Sequence, residues 1–173
     1  MQDNENTEKS SKVLVAYYSA TGNTKAAAET IADAAGGELF ELQPAEAYTT
    51  EDLDYNDPES RVCKEHEDPD LQDVKLEEVT PESFPNADVV FLGYPIWWGE
   101  AAWPVNEFVK ENDFTGKTVI PFCTSASSSL GDSGENLAEM AGTGEWQEGK
   151  RFSSGAAEEE IRNWVESLDL SAK

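Results

Sequence analysis

Short apolar blocks alternate along this chain with longer stretches of helical period. The run Lys12–Tyr18 is apolar and bounded by polar residues, the pattern of a strand buried on both faces. Lys25–Ala35 follows with an alanine-rich face around Ile31, and Gly36-Gly37 supplies a stop, so a helix with a small-residue face is predicted there. Leu39–Leu42 reads as a short second strand ending before Pro44. Asp88–Gly93 and Thr118–Cys123 are the third and fourth strands, each rich in β-forming residues. Between them Pro104 suits a first helical turn, Val105, Phe108 and Val109 give one apolar stripe, and Asn112 is a stop. Glu135–Met140 is a further short helix, and Gly149–Phe152 an edge strand. In the last helix Ile161, Trp164, Val165 and Leu168 fall at i, i+3, i+4 and i+7, with Glu158–Glu160 favouring its N-terminus.

Strands alternating with helices predict an α/β fold: a doubly wound parallel sheet with helices on both faces and right-handed crossovers. Residues 12–170 form one domain, and residues 1–11, rich in Asn, Glu and Ser, a disordered polar tail. One segment breaks the alternation. From Pro44 to Glu82 fourteen Asp or Glu face only Arg61, Lys64 and Lys75, with Pro58, Pro69 and Pro81 interspersed. Residues 44–82 read as an acidic surface excursion with at most one short helix, steering a partner and contributing little to any ligand site.

The charge balance changes the choice of partners. With 36 acidic against 12 basic residues the formal net charge is -24, and no basic run is present to neutralise phosphates, which excludes a nucleic-acid partner. Such a surface favours a protein partner with a basic face, or serves solubility alone. Cys63 and Cys123 are far apart and His66 is the single histidine, so no metal site is legible and a disulfide is not expected. No stretch approaches the roughly 20 apolar residues of a membrane span. The expected compartment is the cytoplasm, or an extracytoplasmic one if the polar tail followed a removed targeting segment.

In open parallel sheets a ligand sits beyond the carboxyl ends of the strands, where their order reverses. Three loops follow those ends. Ser19-Ala20-Thr21-Gly22-Asn23-Thr24 leads into a helix and offers hydroxyls and N–H groups at the positive end of its dipole, an anion cradle. It matches neither the Walker A pattern nor G-x-G-x-x-G, and it reads equally as a Ser/Thr-rich cap. Gly93-Tyr94-Pro95-Ile96-Trp97-Trp98-Gly99-Glu100 places three large aromatics within five positions. Exposed rings want a flat partner and glycine permits close backbone approach; the other reading turns Trp97 and Trp98 into core or interface residues. Thr124-Ser125-Ala126-Ser127-Ser128-Ser129-Leu130-Gly131 is either a polar edge for a ligand or a polar turn.

The first two of these segments resemble the flavodoxin family. Tyr17–Thr24 looks like its phosphate-loop signature, and Gly-Tyr-Pro-Ile-Trp-Trp-Gly like the first flavin-flanking loop of its bacterial members; the resemblance spans roughly residues 12 to 168. It implies a five-stranded sheet in the order 2-1-3-4-5 and non-covalent binding of FMN (flavin mononucleotide). Ser19, Thr21, Gly22, Asn23 and Thr24, in a loop that includes Ala20, would hold the phosphate. Pro95, Ile96, Trp97, Trp98 and Gly99 would border the isoalloxazine, one Trp stacked on it. In the third loop Thr124, Ser125 and Ser127 would bond the polar edge of the ring. Here the chain departs from the pattern, with Ala126, Ser127 and Ser128 in place of glycines and no aromatic ring. The function implied is electron transfer, or reduction of a small acceptor such as a quinone if one flavin face is open. No catalytic side chain is required, since the cofactor carries the redox chemistry. A site without compensating cations in so acidic a chain would lower the potential of the final reduction step.

Overall fold

The computed structural model describes residues 13–19, 23–46, 48–54, 56–72, 74–81, 84–97, 100–125, 133–147, 149–153 and 157–167. The polar tail at 1–11 and Leu168 lie outside them. Strand β1 (Val13–Tyr17) is buried along its whole length and pairs in parallel with β2 (Glu38–Glu41) on one side and β3 (Val89–Trp97) on the other. β3 pairs in turn with β5 (Thr118–Ser125). The next position is shared by two short strands, β6 (Glu145–Trp146) and β7 (Lys150–Ser153), both parallel to β5. Counting those two as one interrupted edge gives the expected order 2-1-3-4-5.

Side-chain alternation splits the core into two layers. Val13, Val15, Tyr17, Val89, Phe91, Ile120 and Phe122 point to one face, covered by α1 (Asn23–Ala35) and α5 (Glu158–Ser167). The small face predicted for α1 is used there: Ala27, Ala28 and Ala32 join Ile31 among the rings of Phe91, Phe122 and Phe152. α1 ends where expected, with Gly36 at φ 70° and the Gly37 N–H donating 2.8 Å to Ala32 O, a pairing that closes the last turn. Leu14, Ala16, Val90, Leu92, Tyr94, Val119 and Cys123 point to the other face, where α3 (Pro104–Glu111) and α4 (Ser133–Ala141) lie. Cys63 and Cys123 are both free and buried.

Two regions differ from expectation. β3 does not stop at Gly93 but continues through Pro95 to Trp97, and β4 (Glu100–Ala101) turns back antiparallel upon it, Ile96 opposite Ala101 and Trp97 opposite Glu100. A proline is tolerated there because β1 pairing ends at Gly93, so that ladder loses nothing from the missing N–H, while Pro95 O accepts from Ala102 N–H at 3.0 Å. As far as Trp97 the aromatic segment is thus strand rather than loop.

The acidic excursion is anchored more firmly than its composition suggests. Its base is closed by the Pro44–Leu76 bridge, flanked by Ala45 N–H to Lys75 O (2.8 Å) and Glu77 N–H to Gln43 O (2.8 Å). It carries the helix α2 (Arg61–Glu67), whose N-cap Ser60 accepts from Cys63 N–H. Val62 and Val74 pack with Trp103 as a small separate cluster. Near its far end Asn112 donates to Val79 O (2.7 Å) and accepts from the Thr80 hydroxyl.

Candidate functional site

The strand order reverses between β1 and β3, and the carboxyl ends of β1, β3 and β5 meet there. The Tyr18 N–H donates 3.0 Å to Gly93 O, so the chain leaving β1 stays bound to β3 as it turns toward α1. Ser19 is half-buried at this turn. Ala20, Thr21 and Gly22 lie outside the described residues; Asn23 is the first residue of α1 and Thr24 the second. The first turn of α1 carries no acidic side chain, so nothing within that turn offsets the positive end of its dipole.

Thr24 is buried, and its hydroxyl lies 2.7 Å from the hydroxyl of Thr124, also buried, at the end of β5. This bond ties the first loop to the third. Each hydroxyl keeps capacity for a second partner. Ser125 pairs through its backbone with Ser153, and Ser127 lies outside the described residues. Just before them Cys123 is fully buried, and burial pushes its thiol up to about 12.

The three aromatics of the second segment do not share one role. Tyr94 is fully buried, its hydroxyl 2.9 Å from Ser133 Oγ at the start of α4, and burial raises its pKa. It is a core residue. Trp97 is half-buried and ringed by edge-to-face contacts: Trp103 at 4.9 Å, Tyr48 at 5.7 Å and Tyr18 at 5.8 Å between centroids. Pro95 and Ile96 are half-buried beside it, and Trp98 and Gly99 lie outside the described residues. Gly93 meets a packing requirement, since a Cβ there would stand 2.2 Å from Phe122 Cζ.

Neither composition nor motif indicates that the excursion packs against Trp97. Tyr48 reaches Trp97 and Tyr18, and its hydroxyl donates to Oε1 of Glu65. The same oxygen accepts from Trp103 Nε1 at 2.7 Å, while Oε2 accepts from Arg61 Nε at 2.9 Å. Glu65 is only 6% exposed. Burial, and after it the bond to Glu65, raises the Tyr48 pKa. Arg61 stacks over the Tyr48 ring at 3.8 Å, so a cation does stand beside this end of the sheet, neutralised by the Glu65 carboxylate. The i,i+4 spacing of Arg61 and Glu65 is the one local signal for this hub; its links to Tyr48 and Trp103 span 17 and 38 residues.

The arrangement combines a helix N-terminus free of acids with a half-exposed indole at one switch point. That set suits a ligand pairing an anionic group with a flat ring. Among the described residues no cluster of His, Cys, Asp or Glu could hold a metal ion, and no helix is long and apolar enough to cross a membrane.

Comparison with known proteins agrees with this geometry. Residues 12–168 match a protein-family model described as Flavodoxin. A provisionally assigned flavoprotein from Bacteroides eggerthii DSM 20697 is 41% identical, with a TM-score of 0.82 over 92% of this chain and 98% of that one. Another provisionally assigned flavoprotein, from Bacteroides uniformis ATCC 8492, is 38% identical, with a TM-score of 0.83 over 91% and 99%. A flavoprotein from Lactobacillus acidophilus NCFM, solved in complex with FMN, is 22% identical and shares the fold, with a TM-score of 0.56 over 82% and 93%. None of the proteins of curated function gives a match.

Proposed function

This chain belongs to the flavodoxin family, and from that premise we propose that it binds FMN at the β1–β3 switch point and passes electrons to a protein partner with a basic face. The observation that carries the reading is that the acid-free start of α1 is tied through Thr24 to Thr124, which pairs with Pro95 on the strand that ends at the half-exposed Trp97. The Lactobacillus relative solved with FMN supports the choice of ligand.

The donor set fits the cofactor. In this reading the N–H groups at the start of α1 and the hydroxyls of Ser19, Thr21 and Thr24 bind the phosphate monoester, and Thr124 holds Thr24 in place for that task. Trp97, with Pro95, Ile96, Trp98 and Gly99, borders the ring system and excludes water from one side of it. Ser125 and Ser127 face its polar edge. FMN, when bound, supplies the electron-transfer chemistry, and the protein supplies binding, orientation and electrostatics. The net charge of -24 favours a cationic redox partner by long-range steering.

A second reading has one specific feature behind it: residues Thr124–Gly131 contain no aromatic ring to cover the other flavin face. An uncovered face would admit a small acceptor such as a quinone, making the protein an FMN-dependent reductase. The visible absorption spectrum of the purified protein, before and after addition of FMN and removal of excess, tests cofactor binding. Retained flavin bands support it and their loss on desalting contradicts it. Rates of oxidation of the reduced protein by a cationic redox protein and by a benzoquinone then separate the two readings.

A further inference from the structure

We propose that Glu65 of the acidic excursion is a positioning residue of the flavin site, its single oxygen Oε1 fixing the two rings that hold Trp97 in place. The inference rests on the FMN reading above and deepens it. Of the rings around Trp97, Tyr48 and Trp103 both donate to that one oxygen, through a hydroxyl and an indole N–H respectively. The carboxylate is buried, in a segment whose own buried apolar side chains are few, Val62 and Val74 beside Trp103. A buried carboxylate is tolerated only when its lone pairs are met, so it permits little displacement of its donors. Tyr48 is further gripped by the Arg61 guanidinium on its face, and Arg61 Nη1 is tied to Glu46 O at 2.7 Å. Trp103 stacks against His66 on α2, 6.4 Å between centroids. α2 and the Tyr48 turn therefore form the outer wall of an aromatic box whose inner member is Trp97. A ring that must lie against a flat ligand at a defined angle gains from neighbours locked in this way, because fewer rotamers remain to be frozen on binding.

The two carboxylate oxygens have separate duties, and this makes the proposal testable. In Glu65→Gln an amide oxygen can keep the Tyr48 and Trp103 bonds, while the amide nitrogen faces Arg61 and loses that link. In Glu65→Ala both donors lose their acceptor. The experiment is fluorescence titration of the full-length protein with FMN, reading the dissociation constant and the residual flavin emission at saturation, with far-UV circular dichroism as the check on folding. Residual emission at saturation is set by the ring against the flavin and would not move for a residue that only stabilises the fold. Glu65→Ala should weaken FMN binding about tenfold and raise the residual emission severalfold. Glu65→Gln should restore affinity to within about threefold of wild type, with wild-type quenching. If Glu65→Ala does not fold, Tyr48→Phe and Trp103→Phe carry the test, each expected to weaken binding about threefold. A wild type that binds FMN alongside a folded Glu65→Ala variant of equal affinity and equal quenching overturns this inference alone. So does a Glu65→Gln variant as impaired as Glu65→Ala, because charge rather than the shared acceptor would then be the cause. A wild type that takes up no FMN overturns the proposed function first, and this inference with it.

Discussion

Replacing Gly93 with alanine tests the account of how β3 is seated. The added Cβ would stand 2.2, 2.5 and 2.8 Å from Cζ, Cε2 and Cε1 of Phe122. Carbon atoms in contact prefer about 3.5 to 4.0 Å, so ring or strand must give way by more than an ångström. Phe122 is fully buried among Phe152, Ile120 and the alanine face of α1, which leaves no free volume to retreat into. Overpacking of this kind costs about 1 to 3 kcal/mol, and the short distances place it at the upper end. Against that, alanine lowers the entropy of the unfolded chain by about 0.4 to 1 kcal/mol, so a net loss of about 2 kcal/mol is expected. Urea denaturation of wild type, Gly93→Ala, Phe122→Leu and the double variant reads this directly. The smaller leucine makes room for the new methyl, so the double variant should be more stable than the sum of the single losses by at least about 1 kcal/mol. A Gly93→Ala midpoint corresponding to less than about 0.5 kcal/mol, or strict additivity in the cycle, would refute the packing argument and return Gly93 to a role at the ligand.

Further outcomes follow from the same interactions. Thr124→Val removes one partner of the buried hydroxyl pair and strands Thr24, at a cost of about 1 to 3 kcal/mol in urea denaturation; an unchanged midpoint would show the pair to be dispensable. Burial raises the pKa of Tyr18 and Tyr94 above 10.0, and lifts Cys123 from 9.0 to about 12. Each neutral group therefore contributes stability that is whole below the unfolded value and lost as pH rises toward the folded one, up to about 1.4 kcal/mol per group per pH unit. The melting temperature should fall steeply between pH 9 and 11 while the native Cys123 thiol resists alkylation at pH 8; a flat profile or rapid labelling contradicts this. Neutralising six excursion acids other than Glu65 should leave FMN affinity intact and slow electron exchange with a cationic partner at low salt only, since the screening length is about 8 Å at physiological ionic strength. Equal stopped-flow rates at two salt concentrations would remove the steering role.

The regular elements were legible because each carries its own period. β1 is an unbroken apolar run, α5 repeats Ile161 and Val165 on one stripe, and Gly36-Gly37 marks the end of α1. The continuation of β3 through Pro95 was not, because proline and two glycines signal a turn unless the neighbouring strand is known to have ended at that register. Tyr94 looked like a surface aromatic for the same reason, yet its place in the alternation with Val90 and Leu92 puts it in the core. Least legible was the excursion. Polar hubs have no period, and nothing local to Glu65 announces that Tyr48 and Trp103 will converge on it. The motif around Trp97 revealed a candidate ligand ring, but the residues that hold that ring came only from the fold.

The central claim is that the start of α1 receives the phosphate of FMN while Trp97 borders its ring. Parallel fluorescence titrations of the purified protein with FMN and with riboflavin, which lacks the phosphate, test it most directly. Charge-assisted bonds contribute about 1.5 to 3 kcal/mol each, and every 1.4 kcal/mol is tenfold in affinity. FMN should therefore bind at least tenfold more tightly than riboflavin, with its emission quenched on binding. Equal affinities for the two, or no quenching of either, would contradict the account.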